Sequence, residues 1–161
     1  MSDTCITQIE NYWKIKTKNA TNLFNQGNYH EALTNYNDAL YRAEVLTKNT
    51  KFCKGVGIPF IQVYIISCNN LANTYKKLNE PEKAIKMIKK TVYYLLYLTK
   101  NNQSNMQEIQ SELRKATINY FNLTKTIKYT DNEEYLMFVL KENYKNPTPT
   151  RNTRHKNTKN A

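Results

Sequence analysis

Apolar residues recur at three- and four-residue steps along nearly the whole chain, and the residues that break helices are few enough to mark its boundaries. Only 3 glycines and 4 prolines occur in 161 residues. From Tyr29, the positions Ala32, Leu33, Tyr36, Ala39, Leu40, Ala43 and Leu46 lie on one stripe, as an amphipathic helix requires. Gly27 ends a preceding helix that carries Ile9, Trp13, Ala20, Leu23 and Phe24. Lys48 to Pro59, holding Gly55, Gly57 and Pro59, reads as a loop.

Helical spacing resumes with Val63, Ile66 or Ser67, Leu71, Ala72, Tyr75 and Leu78, and the chain then turns at Asn79 to Pro81. Ala84, Ile85, Ile88, Val92, Leu95 and Leu96 form the next stripe, with Pro81 in its first turn, where a missing N–H costs nothing. Thr99 to Asn105 reads as an enlarged connection. Ile109, Leu113, Ala116, Tyr120, Leu123 and Ile127 then predict a long helix, a turn falls near Thr130 to Asn132, and Leu136, Val139, Leu140 and Tyr144 predict a shorter one. Asn28 with Glu31, Asn79 with Glu82, and Asp131 with Glu134 have the spacing of N-terminal capping pairs.

These elements repeat. Ala32, Ala84 and Leu136 stand 52 residues apart, and the same step relates Ala20, Ala72 and Thr124, and Leu23, Tyr75 and Ile127. In the stretch Asn19 to Leu40, the residues Ala20, Gly27, Tyr29, Ala32, Tyr36 and Ala39 resemble the tetratricopeptide repeat consensus. Ser67 to Ile88 is similar to it through Leu71, Ala72, Tyr75 and Ala84, with Asn79 and Pro81 in place of the usual glycine and aromatic residue. The third unit follows by register. The resemblance implies an all-α fold of three antiparallel helical hairpins, stacked as a short right-handed solenoid over residues 1–144. Its period of 52 exceeds the family's 34, so helices or loops must be longer. A six-helix bundle with a coincidental spacing is the alternative architecture.

Tetratricopeptide solenoids bind partners on a concave face lined by the first helix of each hairpin. Carried onto this sequence, that face consists of Lys14, Lys18, Thr21 and Asn25, then Asn69, Asn70, Asn73, Lys76 and Lys77, then Asn122, Lys125 and Lys128. Asparagine both donates to and accepts from a peptide backbone, and lysine attracts carboxylates, so an acidic peptide or helix is the expected occupant. Asn70 matches the central asparagine of the family's carboxylate clamp, whereas Thr17 and Thr21 replace its lysine and asparagine.

The formal charge of +11 has two readings. It attracts nucleic acid, anionic lipid or acidic peptide; alternatively, since Lys, Asn, Ile and Tyr all come from A/T-rich codons and only Arg42, Arg114, Arg151 and Arg154 are arginines, it reflects genome composition. The segment 145–161 has almost no apolar residue and is expected to be a disordered basic tail. A nucleic-acid-associated protein using that tail is thus the alternative function. Tyr93, Tyr94 and Tyr97 beside Lys89, Lys90 and Lys100 fit the same idea, although the surrounding Val92, Leu95, Leu96 and Leu98 favour packing. That Tyr/Leu-rich helix also offers a contact for a homodimer.

Enzyme chemistry finds little support. His30 and His155 have no nucleophile or carboxylate cluster beside them, and Gly55 and Gly57 complete no phosphate-binding motif. Cys53, between Lys51 and Lys54, is the one residue with a case for a lowered thiol pKa. Cys5, Cys53 and Cys68 form neither a disulfide framework nor a zinc site, so no metal or cofactor is expected. The N-terminus lacks the features of a secretory signal, and the apolar stretches fall short of the about 20 residues that span a bilayer. The expectation is a cytoplasmic, non-enzymatic adaptor or chaperone-like scaffold.

Overall fold

A computed structural model describes residues 2–101, 105–125 and 131–145. All regular structure in them is helical. The helices are α1 (Asp3–Asn25), α2 (Tyr29–Lys48), α3 (Thr50–Gly55), α4 (Phe60–Lys77), α5 (Pro81–Asn101), α6 (Met106–Thr124) and α7 (Asp131–Lys145). Each long helix through α6 packs chiefly on the next long helix: α1 on α2, α2 on α4, α4 on α5, and α5 on α6. The short α3 leans on α1 and α2.

Burial follows the 52-residue step. Trp13, Ile65 and Thr117 are all buried, as are Ala20, Ala72 and Thr124, then Ala32, Ala84 and Leu136, then Tyr36, Ile88 and Leu140. Small residues at 0% exposure, such as Ala20, Ala32, Ala72 and Ala84, let helix backbones approach closely. The backbone repeats as well. Gly27 and Asn79, one step apart, both adopt left-handed φ values of 83° and 56°. In each turn the residue that follows donates its N–H back to a carbonyl five residues earlier, Asn28 to Leu23 and Glu80 to Tyr75, both at 2.9 Å. This is the six-to-one bond of a Schellman ending, which needs a left-handed residue and accepts glycine or asparagine there.

That geometry corrects the capping pairs. Asn79 is the left-handed residue after α4 and not the cap of α5, which begins at Pro81. Asn28 does stand at the cap of α2, but its side chain makes no capping hydrogen bond. Asp131 opens α7, and residues 126–130 lie outside the described part. A cap unmarked in the sequence reading is Ser2, whose Oγ accepts from the Cys5 N–H at 3.2 Å.

The expected loop from Lys48 to Pro59 is the second correction, because six of its residues form α3. Its cohesion is apolar: Cys53 and Ile58 are buried, and Phe52 and Val56 pack half-buried on the core. Gly57, at φ 74°, then ends the helix as Gly27 ends α1, with the Ile58 N–H reaching the Cys53 carbonyl at 2.8 Å. Thr99 to Asn101, expected in a connection, complete α5, whereas 102–104 lie outside the described residues. So does the tail from 146 onward, Lys145 being the last residue of α7.

Side chains add cross-links between helices. Trp13 in α1 donates its indole N–H to Ser67 Oγ in α4 at 2.8 Å, and Ser67 in turn donates to the Val63 carbonyl at 2.8 Å. Lys16 pairs with Asp38 between α1 and α2, and Lys90 with Glu44 between α5 and α2, both at 2.8 Å. These pairs are partly exposed, so each contributes at most about 1 kcal/mol.

Candidate functional site

The sequence-predicted face is assembled in part. Thr21 and Asn25 of α1 meet Asn70 and Asn73 of α4 around a recess of about 210 Å³, with Phe24 and Tyr36 completing its wall. The helical step explains the meeting. Residues 21 and 25, like 70 and 73, are one turn apart and share a face. Tyr36, buried in α2, reaches the recess from behind. Thr21 donates its hydroxyl proton to the Thr17 carbonyl at 2.9 Å, which leaves the Tyr36 hydroxyl to donate to Thr21 across 3.1 Å. Phe24 is held edge-on against Tyr29, with ring centroids 5.2 Å apart.

The amides of this recess are unengaged. Elsewhere, Asn35, Asn37, Asn49 and Asn101 each donate their side-chain N–H to the carbonyl four residues earlier in the same helix. Asn70 and Asn73 direct no such bond to any described residue, so their donors and acceptors are available to a ligand.

The remaining predicted positions lie outside this recess. Lys14 is exposed and paired with Glu10 at 3.0 Å, and Lys18 is exposed on α1. Asn69 is half-buried beside Asn70, and Lys76 and Lys77 are exposed in the last turn of α4. Asn122 and Lys125 are exposed at the end of α6, and Lys128 lies outside the described residues. Two apolar side chains were missed: Ile66 is 40% exposed in α4 and Ile118 is 50% exposed in α6. Each stands four residues before Asn70 or Asn122, on the same helix face. Their signal was the register itself, since they occupy the position of Lys14 in the first unit. Gln62, four residues before Ile66, donates to Glu108 at 3.0 Å and ties α4 to α6 along this side.

A family model described as "Protein of unknown function (DUF2753)" matches residues 11–143, a span running from α1 into α7. The chain belongs to that family. Neither a curated protein nor a solved structure matches it. The family match thus takes in every described residue proposed for the concave face.

The cysteines correct one sequence expectation. Cys53 is not an exposed thiol activated by its flanking lysines: it is fully buried, its Sγ–H pointing to the Leu46 carbonyl at 3.4 Å, and burial raises its pKa. Cys68 is buried in α4, and desolvation pushes it up to about 11. Cys5 is exposed. With a thiol-reactive dye, one thiol is expected to react rapidly in the native protein and the other two only as fast as it unfolds; three fast thiols would contradict this packing. A Cys68 thiol that titrates near 11 when folded and at 9.0 when unfolded supports the fold below pH 9. That support is expected to fade between pH 9 and 11 in urea titrations.

His30 is exposed at the start of α2, and His155 lies outside the described residues. Among the described residues, no three His, Cys, Asp or Glu side chains are grouped as a metal would need. None of the helices there is long and apolar enough to cross a membrane.

Proposed function

We propose that the protein is a non-enzymatic interaction module of tetratricopeptide-like build, which holds an acidic peptide or helical segment in a groove lined by Asn and Lys. In this reading α1 with α2, α4 with α5, and α6 with α7 are three hairpins stacked as a short right-handed solenoid. The equivalent Schellman turns at Gly27 and Asn79, burial in a 52-residue register and the stepwise packing from α1 to α6 support it. The inserted α3 accounts for much of the extra period length between the first two units.

The observation that carries the reading is the recess shared by α1 and α4, where the unengaged amides of Asn70 and Asn73 face Thr21 and Asn25. Such amides bond peptide backbone without regard to side chains, while Lys76 and Lys77 at the same end of α4 select for carboxylates. Ile66 and Ile118 offer apolar contacts along the same faces. The free thiols fit a reducing compartment such as the cytoplasm.

The test is a titration with a fluorescent peptide rich in Asp and Glu and ending in a free carboxylate. Asn70→Ala combined with Asn73→Ala is expected to weaken binding about tenfold, at 0.5–1.5 kcal/mol for each lost hydrogen bond. Asn37→Ala, whose amide is already spent on the Leu33 carbonyl, should leave it unchanged. Equal affinities across these variants would refute the groove.

A further inference from the structure

A second and larger recess lies where the C-terminal ends of α2 and α5 meet α3 and the start of α4, and α1 contributes nothing to its lining. It holds about 560 Å³, within the range of about 300–1,000 Å³ typical of small-molecule sites. Two features of its wall stand out.

The first is unbalanced charge. Lys48 and Lys54 line the recess, and no Asp or Glu does. Lys14, Lys16, Lys83, Lys90 and Lys115 are each paired with a carboxylate, whereas Lys48 and Lys54 have no such partner among the described residues. The second is an exposed aromatic face. Tyr97 is 61% exposed on α5, whereas the sequence pattern predicts packing for the tyrosine cluster. Tyr93 is 52% exposed as well, and only Tyr94 packs, 4.6 Å from the ring of Tyr64.

We propose that this recess binds a nucleotide unit, with the phosphate between Lys48 and Lys54 and the base on the face of Tyr97. A dianionic phosphate suits two unpaired ammonium groups, and an exposed tyrosine ring stacks on any base. Thr50 and Asn101 supply further polar groups at the rim. The same chemistry arises from a free mononucleotide or from a nucleotide within a single strand.

The experiment titrates the full chain with adenosine 5′-monophosphate, inorganic phosphate and a short oligoadenylate, read by calorimetry. Lys48→Glu with Lys54→Glu is expected to lower affinity for the monophosphate about tenfold or more, whereas Lys86→Glu with Arg114→Glu, an identical change in net charge at exposed positions outside both recesses, leaves it within about twofold. Tyr97→Ala is expected to cost about fivefold or more through lost stacking. An oligoadenylate bound more tightly than the monophosphate, with the same sensitivity to these variants, supports the site and assigns it to single strands; weaker binding supports it and assigns it to free nucleotide. The proposal is overturned if the monophosphate does not bind, if inorganic phosphate binds equally well, or if the two charge-reversed pairs lose affinity alike.

Discussion

Trp13→Ala is expected to remove about 3–5 kcal/mol of stability, the usual cost of deleting a buried tryptophan side chain. Trp13 is only 9% exposed, and its indole N–H is bonded to Ser67 Oγ. Losing the ring therefore leaves a cavity between α1 and α4 and frees a buried hydroxyl. Because this is the sole tryptophan, urea unfolding must be followed by circular dichroism. Ser67→Ala is the complementary variant. It strands the indole donor and should cost about 1–3 kcal/mol, with fluorescence as a second readout. Combining Trp13→Phe with Ser67→Ala should cost less than the two single changes together, since neither partner is then left unpaired. Strict additivity would show that the hydrogen bond carries no coupling energy.

Lys76→Glu, Lys77→Glu and Lys125→Glu together are expected to weaken binding of the acidic peptide about 30-fold at low salt. The figure follows from about 0.7 kcal/mol for each exposed charge contact. The loss should shrink as salt is raised, because all three side chains are solvent-exposed and screened. Unfolding free energy should move by no more than about 0.5 kcal/mol. An affinity indifferent to the three reversals would remove charge selection from the proposed function, while a salt-independent loss would point to altered structure.

The helices were legible because their apolar stripes are long and the breakers few. What decided the turns was less local. Asn28, Asn79 and Asp131 carry the spacing of capping residues, yet Asn79 went into the left-handed slot that Gly27 fills one period earlier. Backbone satisfaction by the Schellman bond took precedence over side-chain capping there. Helix α3 escaped the sequence reading because two glycines and a proline dominate Lys48 to Pro59 by local rules. The burial of Cys53 and Ile58 outweighs those rules, and it exists only once α1 and α2 are in place.

The sites divide in the same way. Thr21 and Asn73 stand one 52-residue step apart, and Asn25 and Asn70 lie one turn from them on the same helix faces, so register places the four together. The recess at Lys48, Lys54 and Tyr97 depends on α3, where local rules predict a loop, and on where the far end of α5 lands. Even within one tyrosine cluster, a step of one residue turns a side chain by about 100° around the helix. Tyr94 thus packs at a tilt against Tyr64 while Tyr93 and Tyr97 face outward.

The stepwise packing of α1 through α6 also governs how the chain comes apart. When helices lean mainly on their sequence neighbours, most contacts close short segments of chain, so contact order is low and folding is fast. In the proposed solenoid, opening proceeds as fraying, one helix at a time from an end, and amide exchange is expected to be graded along it, slowest near α4 and α5. In such a molecule the ends set the lifetime of the middle, so a partner that clamps a terminal helix stabilises surfaces it never touches.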